Sequence, residues 1–221
     1  MKIQIIGDSF GLPRLKKNTN IIEVTYEQTY PEQLRRMLKL FYEPEDIVMI
    51  NSCKRFNNSF YLYKYELLET LLIQPEYIVI QLGIVDCWTR SENDYICEEF
   101  KGKNPWISSN EYVNYIENFI IKCCENIVQL KGIILVNISK ASSLQYKKHK
   151  GSFERTVEYN NKLSLISKKY NNVFLADIYN SFSKNLEKAL CSDGIHPNEY
   201  GNRLISNEIF DIIVSKIRTE N

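Results

Sequence analysis

The sequence has no apolar run long enough to cross a bilayer, and residues 1–20 carry neither the apolar core nor the small-residue cleavage site of a secretory signal. A cytoplasmic protein with no membrane partner is therefore expected. An excess of charge is also missing. Lys and Arg number 28 against 27 Asp and Glu, a formal charge of +1, so no global attraction to nucleic acid is expected. Six cysteines (Cys53, Cys87, Cys97, Cys123, Cys124, Cys191) include no CxxC pair, which argues against a zinc site or a disulfide scaffold. They read as reduced thiols, mostly small apolar fillers. Neither GxGxxG nor GxxxxGK[ST] occurs, which removes the common nucleotide-binding loops. Repeats, low-complexity tracts and linkers are absent too, so residues 1–221 read as one domain.

What is present is ordinary for a folded α/β protein, with 44% hydrophobic and 25% charged residues. Strand-like runs recur at Lys2–Ile6, Asp46–Ile50, Tyr77–Leu82, Gly132–Asn137 and Val173–Ala176. They are short, rich in Ile, Val and Leu, and not cleanly alternating, as expected of parallel strands covered on both faces. Between them lie helical patterns at Pro31–Leu40, Ser59–Ile73, Asn110–Leu130, Phe153–Tyr170 and Glu199–Ile217. Strands alternating with helices predict right-handed crossovers and a three-layer α/β sandwich around a mainly parallel sheet of about five strands. Ile21–Thr25 is a further apolar run of undetermined type. Two longer connections, Cys87–Ser109 and Ser139–Ser152, are candidates for a lid or a substrate wall. The second carries the tract Lys147-Lys148-His149-Lys150, where His149 reads as a solvated surface residue.

The first strand runs into Gly7-Asp8-Ser9, which sets Ser9 at the carboxyl end of the strand. Open α/β sheets bind ligands at that edge, so Ser9 is a candidate nucleophile as well as a candidate turn residue. Gly7 would let the backbone turn sharply and approach another segment closely. Near the other end, CSDGIHPNEYGN at 191–202 reads as a loop before the last helix. There Asp193 can accept from one imidazole nitrogen of His196 and leave the other free to take a proton from a serine hydroxyl. His149 and His196 are the two histidines of the chain, and His196 is the better base.

GDSF at 7–10 and DGIHP at 193–197 resemble the first and last blocks of the SGNH, or GDSL, hydrolases, in the same order and across the same β/α pattern. The resemblance implies one SGNH-hydrolase-like domain over 1–221, with Ser9 as nucleophile, His196 as general base and Asp193 as its orienting carboxylate. It implies no metal and no organic cofactor. The family's third block, Gly-x-Asn-Asp, corresponds to Gly83, Val85 and Asp86, so valine stands where the family has its oxyanion asparagine. One lost donor of that kind costs on the order of 3 kcal/mol of transition-state stabilisation. Asn57 and Arg90 are candidate substitutes, beside the backbone N–H of Ser9. The second block, NSCKRFNNS at 51–59, begins with a matching Asn51 but has no glycine, which leaves a backbone donor around Arg55. Asp8 and Asp86 are expected to support the loops. Arg55 and Arg90 at the sheet edge would favour an anionic substrate. Trp88 and Trp106 bracket the first long loop and would serve either a sugar ring or the core.

These readings predict a serine esterase that removes a small, acetyl-like acyl group from a carbohydrate or other small ester. The carbohydrate preference comes from the resemblance. Acyl transfer to a sugar hydroxyl and a noncatalytic binding module on the same fold are the alternatives. A flavodoxin-like nucleotide or response-regulator domain shares the alternation, but GDSFGLP is a poor phosphate loop.

Overall fold

The computed structural model describes residues 1–88 and 106–220. Five strands form one all-parallel sheet in the order β4-β1-β5-β6-β7: β1 (Lys2–Gly7), β4 (Val48–Asn51), β5 (Tyr77–Gln81), β6 (Gly132–Val136) and β7 (Val173–Ala176). Every residue of β5 and β6 is buried, as are five of the six in β1, because helices cover both faces. β4 begins two residues later than its pattern suggests, since Pro44–Asp46 is a 3-10 turn. The sheet's carboxyl edge has its switch point at β1. The chain leaves β1 to build β4 on one side, then crosses to β5 on the other, which opens a crevice where Ser9 emerges.

One face of the sheet carries α1 (Tyr30–Leu38) packed on the last helix, α10 (Glu199–Glu220). Asn202 of α10 accepts from Tyr30 N–H at 2.8 Å, which satisfies an amide at the start of α1, where Pro31 gives up its own. The other face carries α3 (Leu67–Ile73), α5 (Ser109–Asn126) and α7 (Ser152–Lys169). A capping box at Ser108 and Glu111 starts α5. The helix expected over Ser59–Ile73 is broken into α2 (Ser59–Tyr61), a π turn at Leu62–Glu66, and α3. None of the described helices is long and apolar enough to span a membrane.

Several connections hold more structure than their sequence suggests. α4 (Ile84–Cys87) follows β5, α6 (Ser143–Lys148) occupies the Ser139–Ser152 connection, and α8 (Ile178–Ser183) and α9 (Leu186–Ala189) follow β7. Ser142 caps α6 by accepting from Gln145 N–H. The Ile21–Thr25 run supplies β3 (Ile22–Val24), which pairs antiparallel with β2 (Arg14–Leu15) in a small separate hairpin. His149 is not a free surface residue, for its ring packs on that of buried Trp88 with centroids 4.7 Å apart. Trp106 lies under the Arg155 guanidinium at 4.3 Å. Cys53, Cys87, Cys123 and Cys191 are buried free thiols, and Cys124 is exposed.

Candidate active site

β1 ends at Gly7, and the chain turns at once into a 3-10 segment, Ser9–Gly11. Asp8 caps it by accepting from Phe10 N–H at 2.9 Å. The turn is possible because Gly7 and Gly11 both lie against Cys53. A Cβ on Gly7 would stand 2.8 Å from Cys53 Sγ and 2.9 Å from the Tyr30 hydroxyl, and one on Gly11 would overlap the same sulfur. Asp8 is fully buried, and desolvation raises its carboxyl to about 7 against hydrogen bonds from Phe10 N–H and Gln81 that pull it down.

At the other end of the chain, residues 191–197 form a tight loop. Cys191 N–H donates to His196 O at 2.8 Å, and Gly194 takes φ +72° with a Cβ position already filled by Ser142 Oγ. α6 anchors the loop, since Ser142 N–H donates to Gly194 O at 2.8 Å and Gln145 Nε2 to Asp193 O at 2.6 Å. The connection at 139–152 is thus a brace for the loop.

The fold brings Ser9 and His196 together across 187 positions, with Ser9 Oγ 2.8 Å from His196 Nε2. Asp193 Oδ2 lies 2.7 Å from His196 Nδ1, while its Oδ1 accepts from the backbone N–H of Ile195 and His196 at 2.9 and 3.0 Å. With Asp193 accepting at Nδ1–H, the free lone pair of the imidazole is the one that faces the serine hydroxyl. Burial would raise the Asp193 carboxyl, but the hydrogen bond and charge of His196 and the two backbone donors outweigh it and hold the group well below the usual carboxylate range. Phe10 packs on the imidazole, with ring centroids 5.5 Å apart.

A fourth side chain joins this series: Arg14, on β2, donates to Asp193 Oδ2. Glu23, on the partner strand β3, accepts from Ser192 N–H at 3.1 Å, so the hairpin grips the histidine loop at two successive residues. Beneath it opens a cleft of about 730 Å³. Among the described residues it is lined by Ser9, His196, Arg55, Phe56 and the hairpin stretch Arg14–Asn20.

Comparison of the sequence with protein-family models and with curated proteins finds no match. Comparison of the structure does. The acetylxylan esterase Axe2 of Geobacillus stearothermophilus superposes with TM-score 0.72 at 18% identity over 95% of this chain and 92% of that one. A lipase/acylhydrolase of Enterococcus faecalis gives 0.69 at 18% over 99% and 97%. A protein described as a GDSL-like lipase from Parabacteroides merdae gives 0.70 at 17% over 95% and 93%. The chain has the SGNH/GDSL hydrolase fold. At this identity the likeness is one of fold, and what the site does is a separate question.

Within the SGNH fold the remaining residues are placed as follows. Gly83 adopts φ +127° at the start of α4, where a Cβ would strike Ile138 and the Tyr112 hydroxyl. Half-buried Val85 packs against the core and offers no side-chain donor. Asp86 is buried and takes Ser59 N–H and Ser59 O–H on one oxygen at 2.9 and 2.6 Å, so it ties α4 to α2. Asn57 is buried, donates from its amide to Gly7 O at 3.2 Å, and does not line the cleft among the described residues. Its amide braces the turn that leads to Ser9. Arg55 does line the cleft, beside Phe56, which sits at φ +61° where the glycine-free second block needs a left-handed residue. Arg90 lies outside the described residues.

Sequence reasoning missed Arg14, Lys16 and Lys17. A signal was available, because Lys-Lys-Asn-Thr-Asn between Arg14-Leu15 and Ile21-Ile22-Glu23-Val24 is a turn-rich tract between two short strand-like runs.

Proposed function

We propose that the protein is a serine hydrolase of small esters that works through an acyl-enzyme. The observation that carries the reading is the hydrogen-bonded series Ser9 Oγ, His196 Nε2, His196 Nδ1 and Asp193 Oδ2, at 2.8 and 2.7 Å. In this reading Ser9 Oγ attacks the ester carbonyl while His196 Nε2 takes its proton. His196 then returns that proton to the leaving alkoxide as the C–O bond breaks, leaving the acyl group on Ser9. Water, deprotonated by His196, releases the acid and restores the serine. Asp193 stays ionised throughout and holds the imidazole in the required tautomer.

The oxyanion is held by backbone N–H groups, those of Ser9 and of the Arg55–Phe56 turn. The side-chain donor is missing at Val85, which predicts slower turnover, by on the order of 10²-fold, than a site with all three donors. An acetyl-like acyl group on a carbohydrate is the substrate this reading favours, and the acetylxylan esterase among the fold's neighbours supports it.

A fluorophosphonate probe tests the reading. The wild-type protein should be labelled at Ser9, Ser9→Ala should not, and acetate release from acetylated sugars should be lost with it. A wild type that is folded yet neither labels nor releases acetate would leave a noncatalytic binding module, the reading favoured by Val85.

A further inference from the structure

We propose that the cleft takes an ester carrying a phosphate or carboxylate besides the scissile acyl group, and that Lys16, Lys17 and Arg55 hold that anion. The inference rests on the hydrolase reading for the word ester, but the anion site itself stands on the distribution of charge. The chain as a whole is balanced, 28 basic against 27 acidic residues. The cleft is not. Its lining includes Arg14, Lys16, Lys17 and Arg55, and no Asp or Glu among the described residues.

The four cations fall into two classes. Arg14 is engaged by Asp193, which also takes His196 and two backbone N–H groups. Lys16, Lys17 and Arg55 pair with no carboxylate among the described residues. The one acid of the hairpin, Glu23, accepts from the backbone at Ser192. Some lysines elsewhere do have carboxylate partners. Lys54, next to Arg55 in sequence, lies 2.6 Å from Glu66, Lys131 2.9 Å from Glu76, and Lys169 2.8 Å from Glu117. Three of the four cations that line the cleft have no carboxylate partner among the described residues, so an anion entering it gains their combined attraction without breaking an existing pair.

The two sides of this anion site are fixed by the backbone. Lys16 N–H donates to Ile21 O at 2.8 Å and Lys16 O accepts from Thr19 N–H at 3.1 Å, with Asn18 at φ +60°, so the hairpin end is a closed turn. Arg55 belongs to the block after β4, in a turn closed by Asn57 N–H on Lys54 O at 3.2 Å. An oxyanion would be met by two ammonium groups from the hairpin and by the planar fork of arginine, which suits phosphate and carboxylate alike. Asn18, Thr19 and Asn20 add neutral hydrogen-bonding groups to the same lining, as a sugar ring requires. A cleft of about 730 Å³ suits a molecule of that size.

Calorimetric titration of the full chain with glucose, glucose 6-phosphate and glucuronate, in low-salt buffer, tests the site without requiring turnover. At least one of the two anionic sugars should bind about tenfold or more tightly than glucose, and added salt should erode the difference. The tighter of the two identifies the anionic group. Lys16→Ala/Lys17→Ala/Arg55→Ala, all exposed positions, should retain the wild-type thermal midpoint and lose the difference. Equal binding of the three sugars, no binding of any, or a difference that survives the triple substitution would overturn the proposal. Ser9-dependent cleavage of p-nitrophenyl acetate, a neutral ester, is measured alongside. Its loss would sink the hydrolase reading alone, and its presence with no preference for anions would sink this inference alone.

Discussion

Arg14 donates to Oδ2 of Asp193, the same carboxylate oxygen that accepts from His196 Nδ1. One carboxylate oxygen therefore takes both the imidazole and a cation from the hairpin roofing the cleft. Removing that cation leaves Asp193 Oδ2 to the imidazole alone and frees the hairpin from the histidine loop at this residue. Arg14→Ala should lower kcat/KM on p-nitrophenyl acetate by up to about fivefold, a modest loss for a partly exposed pair. Arg14→Lys should recover most of the loss. An unchanged kcat/KM in Arg14→Ala would mean that the pair only fastens the hairpin.

Asp193→Asn keeps the size of the side chain but can present an amide N–H where Oδ2 accepts from Nδ1. Turnover should fall by on the order of 10³-fold or more, with KM little changed. Steady-state kinetics on p-nitrophenyl acetate would check it, and a fall of less than about tenfold would mean that the imidazole is oriented by other contacts.

Asp8 makes stability depend on pH. Its folded-state carboxyl lies at about 7, above its ordinary 3.8, because it is buried. Between those values the folded chain binds a proton that the unfolded chain has released, so this group's contribution to stability falls as pH rises from about 4 to 7 and is level above that. Asp8→Asn should remove the slope and stabilise the protein at pH 8 relative to wild type, by at most a few kcal/mol. The new amide can still accept from Phe10 N–H, and it can donate to Gln81 Oε1, a buried oxygen with no partner among the described residues, once that side-chain amide turns over. Urea denaturation at pH 5 and pH 8 measures the effect. Equal slopes in the two proteins would contradict it.

Gly11→Ala should destabilise the fold by about 1–3 kcal/mol, since the added methyl meets Cys53 Sγ and lies 3.1 Å from Cys53 Cβ. Cys53→Ala, by clearing that sulfur, should recover part of the loss in the double variant. Additive losses in the thermal midpoints would show that the two positions do not crowd each other.

The sheet was legible because its central runs, Lys2–Ile6, Tyr77–Leu82 and Gly132–Asn137, are short, rich in Ile, Val and Leu and not cleanly alternating, as a doubly covered parallel sheet requires. Ser9, Asp193 and His196 were legible as residue types in characteristic loops, and the chain brings them into hydrogen-bonding reach. The hairpin was not, because strands of two and three residues are too short for an alternation to register. Arg14 meets Asp193 through 179 positions of intervening chain, which no local pattern encodes. The π turn at Leu62–Glu66 was hidden for a different reason, since one extra residue in a turn leaves the apolar spacing of Ser59–Ile73 nearly helical. His149 was misjudged from its lysine neighbours, whereas Trp88, 61 positions earlier, decides its surroundings.

The 187-residue interval between hydroxyl and imidazole also has a kinetic side. Contacts so distant in sequence close late, after the local helices and neighbouring strand pairs have formed. On dilution from denaturant, far-ultraviolet circular dichroism should therefore recover before Ser9 becomes reactive. A chain emerging from the ribosome presents Ser9 long before residue 196 is available to dock beside it.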